Sequence, residues 1–410
     1  MVRADSDWLS AAAAAELLSV QRATLYAYVS RGLVRARAEG KQRVYARADL
    51  EVLRARSAAR RGHAAVAGGA LLWGEPVLDT RISSVDAEGP RYRGHAALEL
   101  AESEVSGERV GELLWSGELP LGEPRWPEAR PEAIERVGGV LQNGARPLSA
   151  MLLLLSSLPA SESDVSLALP SEGVEFARGV LRLLAAAPAA GKSGRALAAA
   201  LRGPSLSASL LAALGGPKTR AAERAVDCAL VLLADHELNA STFSARVAAG
   251  AGADLPRCLL AAHATLSGRR HGGMCDRIED MARRFARPEQ ALGWVRAELA
   301  ARRALPGFGH PLYPGGDPRA APLFELCTRQ GDESPGVRTL AVIREAMELV
   351  DGERPTVDLA LVALSASLGL GPGSATAIFA LGRSLGYVAH VLEQREQGHL
   401  LRPRARYLGA

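Results

Sequence analysis

The chain has few of the residues that staple a fold or anchor it in a membrane. Its 410 residues include four cysteines, at positions 228, 258, 275 and 327. None form a close pair with metal-binding or redox spacing, so we expect reduced thiols, no disulfide framework and no metal site. The N-terminus shows no charged-then-apolar leader, and no apolar run approaches the roughly 18 residues of a membrane span. These absences favour a soluble, cytoplasmic protein without membrane contact.

Aromatic residues are also scarce, at 4% of the chain. Alanine, leucine and arginine dominate instead, a composition that favours helix. The formal net charge of +4 is unevenly spread, because residues 1–62 hold 12 Lys and Arg against 6 Asp and Glu. That segment therefore carries +6 and leaves −2 for the rest of the chain. A basic end on a near-neutral body predicts an anionic partner for that end.

The first 62 residues have the pattern of a small winged helix-turn-helix domain. The pattern predicts two helices around a tight turn, two short strands joined by a hairpin, and a third helix. These elements are a helix over Ala11–Leu18 capped by Ser10, a helix over Arg22–Ser30, extended residues within Arg35–Arg47 with the hairpin tip at Gly40-Lys41, and a helix opening at Asp49.

The remainder of the chain is predicted to be a mostly α-helical body in one or two lobes. Residues 63–77 are small and flexible in composition and are interpreted as a linker. Residues 78–92 look extended and rich in turns. From there to the C-terminus, apolar residues recur at helical spacing and are interrupted by Gly and Pro clusters.

Histidines and arginines beside glycines are the candidates for chemistry in this body. Arginine offers a rigid fork for carboxylates, and histidine exchanges protons near neutral pH. Asp358 lies near the start of an apolar segment, where partial desolvation would raise its pKa and make it a base. Such a set suits removal of a proton next to a carbonyl, followed by attack of the carbon nucleophile on a carboxylate-bearing ketone. The candidates are His236, His271, His310, Asp358, Arg319, Arg383 and Arg402.

Several ordered segments of the body match one known family, citrate synthase, which residues 80–409 resemble. A single match would be weak, but an ordered series with suitable spacing is specific. The matching segments are 235–241 (DHELNAS), 266–273 (LSGRRHGG), 307–319 (GFGHPLYPGGDPR) and 379–409, preceded by shorter elements at 82–86, 92–94, 117–120 and 146–148.

The resemblance implies an all-α fold with a large and a small helical domain within 78–410, the small one at about 225–335. It also implies condensation of acetyl-CoA with oxaloacetate in the tricarboxylic acid cycle, with hydrolysis of citryl-CoA to citrate and CoA. No cofactor is implied, since acetyl-CoA is a substrate. Where this chain has Pro311, many members carry a basic residue useful for CoA phosphates. Leu359 replaces an aromatic residue common after the catalytic aspartate.

The family chemistry assigns a role to each matching position. Asp358 would abstract the methyl proton of acetyl-CoA, His271 would hydrogen-bond the thioester oxygen, and His310 would polarise or protonate the oxaloacetate carbonyl. The remaining candidates would bind substrate: His236, Arg319 and Arg383 would hold the oxaloacetate carboxylates, and Arg402 would reach the neighbouring subunit's site, which implies a homodimer.

Two other functions stay open at this point. A close relative of the family uses propionyl-CoA and makes 2-methylcitrate. Alternatively, the body is a sensor for a DNA-binding regulator, although a pure sensor would have no need of the base at Asp358. His236 also fits a capped structural histidine, Arg319 fits a surface ion pair, and Arg402 fits a solvated basic tail. The other histidines are interpreted as structural or exposed: His63, His95, His263, His390 and His399.

The N-terminal unit resembles the MerR/excisionase type of helix-turn-helix. The match runs from Ser10 to Leu53 and implies a recognition helix at about 21–30. A docking or oligomerisation module without a DNA role is the alternative, because small helix-turn-helix units also bind proteins. The candidate DNA contacts are Arg22, Thr24 and Tyr28 on the helix and Arg35, Arg37, Lys41 and Arg43 on the wing.

Overall fold

The computed structural model describes residues 8–18, 20–30, 33–39, 42–50, 53, 78–141, 144–158, 170–285, 287–330 and 334–403. The chain divides into two compact units, Met1–Asp79 and Thr80–Ala410. Each unit is described by itself below. The predicted division of the second unit into a large and a small domain stays a prediction.

The first unit contains the predicted winged helix-turn-helix elements. Strand β1 (Trp8–Ser10) leads into helix α1 (Ala11–Leu18), and helix α2 (Arg22–Ser30) precedes strands β2 (Ala36–Glu39) and β3 (Gln42–Ala46). The three strands form an antiparallel sheet in the order β1-β3-β2. The hairpin between β2 and β3 is confirmed, its tip lies outside the described residues, and β1 is an addition to the prediction.

A small apolar core holds this unit together. Leu25 from α2 and Tyr45 from β3 are fully buried in it, beside Leu18 and Leu50. The Ser10 hydroxyl accepts a hydrogen bond from the Ala13 amide at 3.3 Å, as expected for the cap of α1. The third helix already begins at residue 47, so its predicted start at Asp49 is wrong by two residues.

The second unit opens with a small sheet and continues as helices. Strands β4 (Ser83–Asp86), β5 (Gly89–Tyr92) and β6 (His95–Ala96) pair in antiparallel order. The helices are α3 (Ala97–Glu102), α4 (Gly107–Ser116), α5 (Pro131–Gly138), α6 (Pro147–Ser157), α7 (Pro170–Ala186) with a 3-10 turn at Ala187–Ala189, α8 (Gly194–Leu201), α9 (Leu206–Leu214), α10 (Arg220–Leu233), α11 (Ala240–Gly250), α12 (Leu255–Leu266), α13 (Met274–Ala282), α14 (Gln290–Ala300), α15 (Ala320–Gln330), α16 (Pro335–Val350), α17 (Val357–Ser367) and α18 (Ser374–Gln397).

Side-chain caps fix where several helices begin. Thr219, Asn239 and Asp254 each accept backbone amides in the first turn of the helix that follows. Such caps satisfy donors that have no partner inside the helix. The cap at Asn239 matters for the site, because it sets the start of α11 directly after the turn at 235–237.

Helix α18 is the centre of the second unit. It packs against α4, α6, α7, α10, α11, α12, α13 and α17. The expectation that no apolar run reaches membrane-spanning length is wrong for this helix, since its length and composition would suffice. However, 94% of the apolar window is buried inside the protein, and the core helix of a globular protein passes the same test. Its apolar character therefore serves core packing.

Candidate active site

One face of α18 carries a stripe of buried polar side chains. Arg383, Tyr387, His390 and Gln394 follow one another at intervals of four, three and four residues. This spacing places them on one side of a helix with 3.6 residues per turn. All four are at most 2% exposed. Each must therefore find a hydrogen-bond partner inside the protein, and the partners organise the site.

The turn at 234–237 lies directly against α18 at Gly386. The Gly386 amide donates to the Ala234 carbonyl at 3.0 Å. A Cβ at position 386 would lie 2.4 Å from that carbonyl oxygen and 2.4 Å from Oδ1 of Asp235, so only glycine fits here. Glu237 adopts φ +56°, a conformation that non-glycine residues rarely adopt. The close approach thus places His236 at the end of α10.

Asp235 and His390 form a buried pair behind His236. His390 Nε2 lies 3.2 Å from Asp235 Oδ2. Arg246 Nη1 lies 3.4 Å from His390 Nδ1, and because arginine only donates, Nδ1 accepts and Nε2 carries the proton. Burial alone would raise the pKa of Asp235, but His390, Arg383 and the Ser83 hydroxyl hold it below its ordinary value. His390 is therefore structural, as predicted.

His236 faces the loop that carries His310. Its Nε2 lies 2.8 Å from the Tyr313 hydroxyl, and the His236 and His310 rings meet edge to face at 5.6 Å. Burial, followed by the positive charges of Arg319 and Arg383, holds the pKa of His236 well below its ordinary value. A neutral imidazole beside two guanidinium groups suits the binding of an anion.

His271 is oriented by a cluster at the start of α11. Its Nε2 lies 2.6 Å from the Ser241 hydroxyl, which also contacts Asn239 Oδ1 and the Tyr387 hydroxyl, each at 2.6 Å. The His271 ring stands edge-on to Phe379 at 6.0 Å. Burial and the charge of Arg383 lower the pKa of His271 to about 4, so the ring is neutral at physiological pH.

The loop at 307–319 is fastened to the start of α17. The Gly307 carbonyl accepts the Thr356 amide at 2.9 Å. Gly307 has φ +91° and packs on Leu359, which brings the loop close to Asp358. Further along, His310 Nδ1 accepts the Leu312 amide at 3.2 Å. This bond leaves the proton of a neutral His310 on Nε2.

A buried ion pair joins this loop to α17 a second time. Asp317 accepts Nε and Nη2 of Arg319 at 2.9 and 2.8 Å, a two-pronged contact. The same carboxylate accepts the Val357 amide at 3.0 Å. Arg319 is 3% exposed, and its guanidinium lies 5.6 Å from the Tyr313 ring. One carboxylate thus positions both a substrate-binding candidate and the residue before Asp358.

Asp358 is the second residue of α17 and is half-buried. The Cys275 thiol lies 3.6 Å from its Oδ1, and the Thr356 hydroxyl lies 3.3 Å from its Oδ2. Burial raises the pKa of Asp358, while the positive charge of Arg319 opposes the rise. A carboxylate with a raised pKa is a stronger base.

The structure brings most of the predicted site residues into one region. Arg319 shifts the pKa of His236, His310 and Asp358, and Arg383 shifts the pKa of His236 and His271, so these groups lie within electrostatic reach of two buried cations. Arg383 itself donates Nε to the Leu233 carbonyl at 2.8 Å.

The other histidines that the structure describes are structural or exposed. His263 is buried and accounted for by the Leu259 carbonyl and the Ser384 hydroxyl, whereas His95 and His399 are exposed and His63 lies outside the described residues. Arg402 follows α18 and is exposed. Its role at a neighbouring subunit stays a prediction. Across the described ranges, no group of three or more His, Cys, Asp or Glu could hold a metal ion.

Several supporting residues were not assigned from the sequence. Ser241, Asn239, Tyr313 and Asp317 all lie inside the matching segments, and that position was the available signal. Cys275 lies four residues after His271, which makes it the second residue of α13 and places it next to Asp358. Only the structure shows these pairings, because the partners lie far apart in the chain.

The candidate DNA-binding side chains fall into two groups. Arg22 and Arg43 are exposed, and Thr24 is half-buried. Arg35 donates two hydrogen bonds to the Asp49 carboxylate, from Nε and Nη2, each at 3.0 Å. The guanidinium carbon of Arg37 lies 4.3 Å from the centre of the Trp8 ring. These two arginines hold the wing. Lys41 lies outside the described residues.

Tyr28 is a half-buried DNA-contact candidate, and its contact with DNA stays a prediction. It packs against the core of the first unit together with Val29, on the same face of α2 as Leu25. Helical spacing explains this, since positions 25, 28 and 29 share one side. Tyr26 is the exposed aromatic residue of α2, at 49%.

Comparison with known proteins agrees with the fold. The family model for the C-terminal domain of citrate synthase matches residues 71–404, and a helix-turn-helix model matches residues 8–57. Citrate synthase of Haloferax volcanii is 31% identical over 82% of this chain and 95% of its own length. 2-Methylcitrate synthase of Mycobacterium tuberculosis is 30% identical over 82% and 90%. Citrate synthase 2 of Bacillus subtilis is 38% identical, but the match covers 44% of this chain and only half of that relative.

Solved structures show the same likeness. Citrate synthase from Pyrobaculum aerophilum matches with a TM-score of 0.69 at 26% identity, covering 82% of this chain and 91% of that one. The Thermotoga maritima enzyme matches with a TM-score of 0.67 at 25% identity, covering 82% and 94%. The fold and the site define an acyltransferase that converts an acyl group into an alkyl group on transfer. The chain belongs to the citrate synthase family.

Proposed function

We propose that this protein condenses acetyl-CoA with oxaloacetate and hydrolyses the resulting citryl-CoA to citrate and CoA. The observation that carries the proposal is the half-buried Asp358 with a raised pKa. Asp358 lies at the start of α17, and a backbone hydrogen bond joins the loop of His310 to the same place. Asp358 also contacts α13, the helix that follows His271. A base, two neutral imidazoles and two buried guanidiniums are the groups that this reaction requires.

The first step is removal of a methyl proton from the acetyl thioester by Asp358. The electron pair of the C–H bond moves into a new C=C bond, and negative charge develops on the thioester oxygen. His271 would donate a hydrogen bond to that oxygen, which requires its proton on Nδ1. Nε2 must then accept from Ser241 across the 2.6 Å contact, which requires the Ser241 hydroxyl to turn its single hydrogen from Asn239 Oδ1 to His271. A donor aimed at the developing charge stabilises the transition state.

The second step forms the new carbon–carbon bond. The enol carbon attacks the ketone carbon of oxaloacetate, and the ketone oxygen takes a proton from Nε2 of His310. The Leu312 amide holds His310 in the tautomer that can donate this proton. Arg319, Arg383 and His236 would bind the oxaloacetate carboxylates. Water then attacks the thioester carbonyl of citryl-CoA and gives one proton to the deprotonated His310. The C–S bond breaks, and the leaving sulfur takes the proton held by Asp358, which releases citrate and CoA as a thiol.

Following free thiol in a mixture of purified protein, acetyl-CoA and oxaloacetate tests the proposal. We expect thiol release that needs both substrates and that Asp358→Asn lowers by several orders of magnitude, while oxaloacetate binding persists. Asp351→Asn is the matched control, because Asp351 is an exposed aspartate at the end of α16. No thiol release from wild type with any short acyl-CoA would reject catalysis, and unchanged turnover in Asp358→Asn would reject its role as base.

Propionyl-CoA is the second candidate acyl donor. The chain is about equally similar to a citrate synthase, at 31%, and to a 2-methylcitrate synthase, at 30%. A third relative by fold, the Thermoplasma acidophilum citrate synthase, was solved with carboxymethyl coenzyme A and oxaloacetate. Comparing kcat/KM for acetyl-CoA and propionyl-CoA on the wild-type protein decides between the donors.

DNA binding is a second candidate function, located in the first unit. The helix-turn-helix match at 8–57 and the charge of +6 over residues 1–62 favour it. Among the exposed arginines of this unit, Arg22 and Arg43 are the ones we expect to contact phosphates. We expect a labelled duplex from upstream of the encoding gene to bind, with affinity that falls as salt rises and falls further in the Arg22→Ala/Arg43→Ala variant.

The docking alternative predicts the opposite outcome. Deleting residues 1–62 would change the oligomeric state, measured from the mass in solution, and the full-length protein would bind no DNA. A DNA affinity that is unchanged in the Arg22→Ala/Arg43→Ala variant would count against DNA recognition by these two arginines.

A further inference from the structure

The start of α13 places a thiol against the candidate base. Cys275 is fully buried, and its Sγ lies 3.6 Å from Oδ1 of Asp358. The Thr356 hydroxyl approaches the other carboxylate oxygen at 3.3 Å. The two oxygens of Asp358 therefore each face one donor, from two different elements of the fold. A thiol is a weak donor, but its contact with a charged acceptor in a buried site gains strength.

The chemical state of Cys275 agrees with a donor. Burial raises the pKa of Cys275 well above its ordinary value, and the charges of Asp358 and Glu279 raise it further. The thiol therefore stays protonated and cannot act as a nucleophile. In return, its hydrogen bond opposes the effect of burial on the pKa of Asp358. The other charged groups that act on Asp358 are Arg319 and Asp317, from the loop fastened to α17.

We propose that Cys275 is a positioning residue for the base: its thiol hydrogen holds Oδ1 of Asp358, and the Thr356 hydroxyl holds Oδ2, so that the carboxylate keeps one orientation toward the acyl group. This inference deepens the proposed function and rests on it for the kinetic part of its test. It assigns Cys275 no contact with substrate. Because Cys275 follows His271 by one turn of backbone, the same short segment sets the donor for the thioester oxygen and the orientation of the base.

The pH dependence of kcat separates positioning from simple packing. In Cys275→Ala the carboxylate loses a donor, and a carboxylate with fewer donors has a higher pKa. We expect the acidic limb of the kcat profile to move up by about half a pH unit, which is roughly a threefold loss of kcat on that limb. Cys275→Ser retains a donor and should return the limb to within about 0.2 unit of wild type, since a hydroxyl donates at least as well as a thiol.

Cys258→Ala is the matched control. Cys258 is also fully buried, but it lies on α12, and its thiol donates to the Ala253 carbonyl at 3.4 Å. Its removal makes a cavity of the same size and should leave the kcat profile in place. If Cys275→Ala and Cys258→Ala give the same profile as an active wild type, the positioning role is overturned while the proposed reaction stands.

A spectroscopic measurement on the ligand-free protein decides the question without turnover. The infrared S–H stretch of Cys275 is isolated as the difference between wild type and Cys275→Ala. We expect this band at lower frequency than that of Cys258, because its acceptor is charged, and we expect it to rise in Asp358→Ala, which removes the acceptor. If the frequency of this band is unchanged in Asp358→Ala, the positioning role of Cys275 is overturned, whether or not the wild type is active. Absence of thiol release from every acyl-CoA would separately reject the proposed function.

Discussion

The Asp317→Asn variant should lose a large share of the stability of the second unit. The Asp317 carboxylate accepts four donors: Nε and Nη2 of Arg319, the Arg319 amide at 3.1 Å and the Val357 amide at 3.0 Å. Asparagine keeps the shape but offers one acceptor oxygen, and its NH2 group would face donors. The variant therefore leaves Arg319, which is 3% exposed, as a buried charge without its partner.

The expected loss follows from the burial of the pair. Removing one partner of a buried ion pair costs about 3–5 kcal/mol, because the other charge remains uncompensated. The pair is buried on both sides, with side chains 3% and 0% exposed, so solvent screening gives little relief. Although burial opposes it, Arg319 holds the pKa of Asp317 below its ordinary value. The stability that ionised Asp317 contributes is therefore present above about pH 4 and is lost as pH falls through the folded-state pKa of Asp317.

Urea unfolding at several pH values measures this effect. We expect Asp317→Asn to unfold about 3–5 kcal/mol more easily than wild type at pH 7, with the gap narrowing below about pH 4. The double variant Asp317→Leu/Arg319→Met removes both charges and should recover much of the stability but no oxaloacetate binding. Asp351→Asn serves as the exposed control. A loss below about 1 kcal/mol at pH 7 would refute the reasoning.

Three further predictions concern other parts of the second unit. Gly386→Ala should destabilise the second unit by about 1–3 kcal/mol through overpacking against the turn at 234–237. Gly293→Ala, in α14 with open space around it, should not, and thermal unfolding of the two variants measures the difference. Burial raises the pKa of Asp227 to about 7, so the stability of the protein falls as pH rises from about 4 to 7. The free energy of unfolding of Asp227→Asn should therefore exceed that of wild type by about 1–2 kcal/mol at pH 8 but not at pH 4. If Arg402 completes a neighbour's site, mixed Arg402→Ala and Asp358→Asn subunits should regain activity that neither variant has; no recovery after exchange of subunits would contradict the crossing.

The fold was largely predictable because its signals are local. Apolar residues at helical spacing predict the helical body of the second unit, and the β2–β3 hairpin of the first unit follows from a single local pattern. Local patterns do not show the depth of burial: Tyr28 of α2, a candidate DNA contact, packs partly against the core of the first unit. Packing also explains the composition of α18, which is buried by its neighbours and whose polar stripe faces buried partners instead of solvent.

The supporting contacts of the site were not predictable from spacing. His390 and Asp235 are 155 residues apart in the chain, and Cys275 and Asp358 are 83 residues apart. Sequence motifs name the residues that would touch substrate, because those positions recur in the family pattern. The residues that orient them act through long-range packing, and their identity depends on which helices meet.

The spacing of the polar stripe on α18 constrains the length of this helix as well as its composition. A single-residue insertion between Arg383 and His390 would rotate everything beyond it by about 100°. His390 and Gln394 would then leave Asp235 and Arg246, while Arg383 kept its carbonyl partner. Related chains should therefore show no gap across 383–394, and a single-residue deletion in this segment should separate His390 from Asp235.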